Sequence, residues 1–121
     1  MNKDNICDYT ISMFRFYAQM GEPDAVKIEQ LREERKLSDI LDLEAVNKTL
    51  NVLEEQQEYI AIAAVKDIYF TAAQRRLYKS EISQRVIKFT LENYISERIV
   101  WKCLNKARRI AAEQRQLRIE L

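Results

Sequence analysis

Between Arg98 and Arg109 the chain carries five Lys or Arg residues and no Asp or Glu. The run lies inside "ISERIVWKCLNKARRIAAEQRQL", residues 95–117. Wound as a helix of 3.6 residues per turn, Val100, Cys103, Leu104, Ala107 and Ala111 share one face, with Ile110 beside them. That face asks only for a core. The other face collects Arg98, Trp101, Lys102, Asn105, Arg108, Arg109 and Ala112. A solvated helix ordinarily mixes signs and gains support from acid–base pairs four residues apart. An acid-free row instead suits a polyanion, because Lys and Arg neutralise phosphates and release condensed counterions. Arg98 and Asn105 are also types that read base edges, Arg on guanine and Asn on adenine. Ser96 stands where an N-cap belongs, and with the first backbone N–H groups it can hold a phosphate at the positive end of the helix dipole. The candidate DNA-binding residues are therefore Ser96, Arg98, Trp101, Lys102, Asn105, Lys106, Arg108 and Arg109.

Each has a plainer reading. Trp101 either stacks on sugar or a thymine methyl, or covers the edge of the core. Arg108 and Arg109 could simply favour a helix C-terminus, though a helix running on to about Leu117 weakens that account. Arg75, Arg76 and Lys79 are either flanking phosphate contacts or a soluble connector.

The elements that must position this row are read from periodicity. A chain of 121 residues with one Gly and one Pro, 47% hydrophobic and 32% charged, predicts an all-α fold, a small helical bundle. Apolar residues surround a first helix over 4–20, which must bury them in its own core or against a second subunit. "GEPD" (21–24) breaks it, with Gly21 as cap and Pro23 as stop. A short charged helix follows. Ser38 is expected to cap the next, where Leu43, Val46, Leu50 and Leu53 make one apolar face, with Asp39 and Asp42 near its first turn. "EEQQE" (54–58) is a solvated turn or a break, and "YIAIAAVKDIYF" (59–70) reads as the most buried helix. Residues 71–79 form a basic connector, and Ser80 is expected to cap a helix carrying Ile82, Val86 and Phe89 inward, with Leu91 a further candidate for that face. "ENY" gives a turn before Ser96.

Charge divides the chain. Residues 1–60 hold 7 Lys/Arg and 13 Asp/Glu, a net of −6, and residues 61–121 hold 13 and 6, a net of +7. Such asymmetry points either to nucleic acid at the basic end or to two packed halves that match each other's charge. The expected organisation is an acidic helical region over 1–70, for dimerisation or partner contact, and a basic region over 71–121. There is no His, and Cys7 and Cys103 match no metal-ligand spacing. No catalytic residue, metal or cofactor is expected, and the chain reads as a non-enzyme. Neither a secretory leader nor an apolar run of about 20 residues is evident, so a cytoplasmic protein with two reduced thiols and no membrane partner is expected.

The segments "SEIS" and "ISERIVWKCLNKARRIAAE" resemble the helix-turn-helix in the promoter-reading final domain of bacterial RNA polymerase sigma factors. Small phage and mobile-element regulators share that pattern. Glu81-Ile82-Ser83 matches the start of the support helix and Ile95-Ser96-Glu97-Arg98 the start of the recognition helix. Lys106-Ala107-Arg108-Arg109 matches its basic end. Residues 87–94 make a longer spacer than the family's, and Ile99 stands where the family commonly has Thr. The likeness covers roughly the last third of the chain. It implies that Arg98, Trp101, Lys102 and Asn105 face the groove while Arg108 and Arg109 meet the backbone. It further implies double-stranded DNA as partner, with RNA polymerase or a homodimer contact supplied by the N-terminal half. The competing expectation is an all-helical adaptor whose basic face meets an acidic protein, or a DNA-packaging adaptor.

Overall fold

The computed structural model describes residues 1–119; the last two positions of the expected basic region, 120 and 121, lie outside the described residues. The chain is all-helical, with no strand among the described residues. Six helices follow in order: α1 (Lys3–Gln19), α2 (Ala25–Leu31), α3 (Leu37–Glu55), α4 (Tyr59–Val65), α5 (Lys79–Asn93) and α6 (Glu97–Arg115). A π-helical turn, Lys66–Phe70, extends α4.

Local chemistry sets most boundaries. Asn2 caps α1, its side-chain oxygen accepting from the Asn5 N–H at 2.8 Å. At the other end Gly21 takes φ +82°, a left-handed conformation that suits glycine, and Glu22 N–H returns to the Tyr17 carbonyl. Pro23 follows, and its carbonyl accepts the Tyr17 hydroxyl at 2.8 Å. Asp24 then caps α2 through the Lys27 N–H. Residues 56–58 break α3 from α4, with Gln57 left-handed and Glu58 N–H bonded to the Leu53 carbonyl.

Two expected caps are corrected. Ser38 lies inside the first turn of α3, whose N-cap is Lys36, and Ser80 lies inside the first turn of α5, whose N-cap is Tyr78. Neither hydroxyl sets the boundary. At α5 the Tyr78 carbonyl accepts from Glu81 and Ile82, and Arg75 grips Glu81 with two hydrogen bonds of 3.0 and 2.7 Å. A charge-assisted fork outcompetes a serine cap in fixing where that helix starts.

One cluster of buried side chains draws on all six helices. Met13, Phe14 and Tyr17 of α1, Ile40, Leu43, Val46 and Leu53 of α3, and Ala61, Ala64 and Val65 of α4 meet Val100, Leu104, Ala107 and Ala111 of α6. Phe14 stacks on Tyr69 with ring centroids 5.4 Å apart. The aromatic residues at the centre of α1 are thus spent inside the chain's own core. In residues 59–70 the expected burial holds for Ala61, Ala64, Val65, Ile68 and Tyr69, all fully enclosed, whereas Ile60, expected with them, lies in the first turn of α4 and is 44% exposed.

Polar contacts then lock the helices together. Asp42 does more than sit near a helix start: its Oδ1 accepts from the Tyr9 hydroxyl at 2.9 Å and from Arg115 Nε at 2.8 Å, joining α1, α3 and α6. Arg15 is the larger surprise. Its guanidinium, 7% exposed with its side chain, donates to the carbonyls of Tyr69, Thr71, Ala72 and Arg75. Arg85 reaches in from α5 to the carbonyls of Ile68 and Thr71. Two arginines therefore satisfy the orphan carbonyls where the π-helical turn ends and the connector begins.

Buried phenols add a pH dependence. Burial, with the Glu22 and Asp24 charges, pushes the Tyr17 hydroxyl up to about 12 from an ordinary 10. Burial likewise raises Tyr69, opposed by Arg108, and raises Tyr9, which also faces Asp42. A phenol whose pKa is higher folded than unfolded stabilises fully below the unfolded value, and that contribution fades as pH rises through the folded one. Thermal melts followed by circular dichroism should hold steady from pH 7 to 9 and fall progressively from about pH 10 upward. A melting temperature unchanged through pH 11 would contradict this.

Candidate nucleic-acid interface

The turn that presents α6 is three residues long. Tyr94 ends α5 in the left-handed conformation, its N–H bonded to the Thr90 carbonyl, Ile95 follows, and Ser96 caps α6. The cap expected at Ser96 is present: its Oγ accepts from the Ile99 N–H at 3.3 Å. Residues 96–99 are exposed, so the first turn of α6 stands clear of the bundle. Beyond it Val100, Leu104, Ala107, Ile110 and Ala111 bury one face against α1, α3, α4 and α5.

Beside the Ser96 cap, the other seven candidate residues divide into two groups. Arg98, Lys102, Asn105 and Arg109 lie along the exposed side of α6, opposite its buried face. Arg98 to Arg109 spans eleven residues, about 16 Å of helix. Arg98, Lys102 and Arg109 have no hydrogen bond or ion pair to any described residue. Glu113 is the acid that follows on this side.

Trp101, Lys106 and Arg108 lie at the edges of that face and are half-buried. Lys106 pairs with Glu58 at 2.9 Å. Arg108 donates to the Tyr69 hydroxyl at 2.7 Å and to the Asn105 side-chain oxygen. Trp101 packs on the rim of the core, its indole N–H directed at Glu97 at 3.4 Å. The sequence run of five cations is thus three free ones and two with internal partners.

Arg75 and Lys79 of the connector are also engaged, Arg75 by Glu81 and Lys79 by Asp8 at 4.0 Å, while Arg76 lies over the Tyr78 ring at 4.9 Å. The charge asymmetry has a structural counterpart. Among the described residues four ion pairs cross between residues 1–60 and the rest, Glu22–Lys66, Asp8–Lys79, Glu58–Lys106 and Asp42–Arg115, and in each of these the acid comes from the first half. Part of the basic excess thus matches the acidic half, and the row on α6 is left without an acid partner among the described residues.

Among the described residues no His, Cys, Asp and Glu cluster could hold a metal ion, and no helix is long and apolar enough to cross a membrane. Cys7 and Cys103 are free thiols, both half-buried. Burial, then the Glu58 charge, pushes the Cys103 thiol up, away from reactive thiolate. The chain matches no protein-family model, and neither a curated protein nor a solved structure is significantly similar to it.

Proposed function

We propose that the protein is a sequence-specific, double-stranded-DNA-binding transcriptional regulator, of the phage, mobile-element or sigma-like type, that lays α6 in the major groove. The observation that carries this reading is the exposed, unpartnered row Arg98, Lys102 and Arg109, with Asn105 between them, on a helix whose first turn protrudes. A major groove about 12 Å wide admits one helix of about that diameter. In this pose Arg98, nearest the protruding end, and Asn105 meet base edges, while Lys102 and Arg109 neutralise phosphates. Ser96 and the free N–H groups of the first turn face a phosphate at the positive end of the dipole. Lys106, Arg108 and Trp101 act one step back: they hold α6 against Glu58, Tyr69 and the core rim, so that the row is presented rigidly.

The test is a fluorescence-anisotropy titration of generic duplex DNA at two salt concentrations. The two phosphate-neutralising side chains predict a log–log slope of affinity on salt near −2, and therefore about a tenfold loss between 50 and 200 mM salt. Absence of affinity at the lower salt would end this reading. It would leave the adaptor alternative, in which the same row meets an acidic protein.

A further inference from the structure

The C-terminal half of α5 carries a second surface, independent of the cationic row. Ile82, Val86 and Phe89 bury one face of α5. Ile87 and Leu91, four residues apart, lie on the opposite face, and Tyr94 extends their line by a turn. Leu91 is 72% exposed and Tyr94 96% exposed. Leu91, a candidate for the inward face, is thus exposed, and among the described residues nothing covers this line. Tyr94 moreover occupies a left-handed backbone position, where a glycine would be less strained. Lys88 and Glu92 flank the line on one side, 75% and 53% exposed, and stand 3.8 Å apart within the helix, long for an ion pair.

We infer that this face binds a second copy of the chain, α5 against α5, antiparallel about a two-fold axis near Thr90. The charge pattern selects that occupant. A closed two-fold interface must be self-complementary. Laid antiparallel, Lys88 of each copy falls beside Glu92 of the other, Leu91 packs on its counterpart, and Tyr94 covers the second copy's Ile87. Laid parallel, lysine would face lysine and glutamate would face glutamate. The three apolar side chains expose roughly 400 Å² per copy, and with the flanking stems the pair would bury about 1,000–1,200 Å², the lower end of specific interfaces. The dimer is therefore reversible, with dissociation in the micromolar range. The α1 face expected to dimerise is not available for it, because Met13, Phe14 and Tyr17 are buried in the core.

Sedimentation velocity of the full chain without DNA tests this separately from the DNA-binding reading. Across a roughly hundredfold range of micromolar concentration the wild type should pass from monomer to dimer. Leu91→Arg should stay monomeric with unchanged helicity and melting, since the site is exposed. Lys88→Glu alone and Glu92→Lys alone should each weaken the dimer about tenfold, by replacing two attractions with two repulsions. Joining the two substitutions should restore wild-type affinity to within about threefold, because the swap restores both attractions across the interface and also puts the intrahelical pair in its better order. A wild type that remains monomeric throughout overturns the inference. So does Leu91→Arg dimerising normally, or a swap no better than its parts. A dimer through this face in a protein that ignores DNA would uphold it while ending the regulator reading.

Discussion

Changing Arg98, Lys102 and Arg109 together to Glu is expected to lower affinity for duplex DNA by at least about a hundredfold at low salt, through two lost phosphate contacts, one lost base contact and three new repulsions. The same protein should melt within a few degrees of wild type. Both halves of that expectation come from the geometry. The three cations are exposed and make no hydrogen bond or ion pair to any described residue, so their removal breaks no internal polar contact. Exposed charge changes of this kind usually alter stability by no more than about 0.5 kcal/mol each. Choosing Lys106 or Arg108 instead would confuse the result. Lys106→Glu would set a carboxylate against Glu58, and Arg108→Glu would strip the partner from the buried Tyr69 hydroxyl. Anisotropy for binding and circular dichroism for folding read the two halves separately. Binding that survives within about threefold would show that α6 is not the DNA surface.

Arg15→Met is expected to produce the largest loss of stability of any single substitution considered, about 2–4 kcal/mol, since four carbonyls lose a charged donor at once. In a domain whose total stability is about 5–15 kcal/mol this is a severe fraction. The corresponding fall in melting temperature is of order 10 °C. The isostere keeps the buried stem packed, so the loss reports on hydrogen bonds rather than on a cavity. Burial first, and then the neighbouring Arg85 and Arg75 charges, lower the Arg15 pKa, yet four converging carbonyls compensate the ion. Arg15→Lys should recover only part of the stability, because an ammonium lacks the planar fork that reaches several carbonyls at once. The same substitution should loosen the approach to α5: amide hydrogen exchange over 71–82 should speed up more than exchange in α3. Equal acceleration everywhere would assign Arg15 to the core as a whole rather than to the connector.

The helices themselves were legible because their signals are local. The cap at Ser96, the stop at Gly21-Glu22-Pro23 and the 3,4,3 spacing of Leu43, Val46, Leu50 and Leu53 each act within one or two turns. The caps expected at Ser38 and Ser80 failed for the opposite reason. A serine hydroxyl is a weak local preference, and at α5 it yields to Arg75 and Glu81, which the fold brings together at 2.7 Å. Arg15 left one trace in the sequence, a charge set among Met13, Phe14, Phe16 and Tyr17, where a fully apolar face would otherwise run on. A lone cation in such a place must find acceptors, and only the packing of α1 on residues 69–75 says which.

By itself, then, the sequence determined that the chain is helical, where most helices begin and end, and that α6 has one apolar and one cationic face. Those follow from periodicity, capping and composition, which depend on residues within a turn or two of each other. Tertiary structure decided which cations are free. Lys106, Arg108 and Arg115 find partners at the break before α4, on the π-helical turn and on α3, far away in the chain, whereas Arg98, Lys102 and Arg109 find none among the described residues. The physical reason is that Coulomb and hydrogen-bond energies depend on distance through space, and sequence spacing reports that distance only along a single helix.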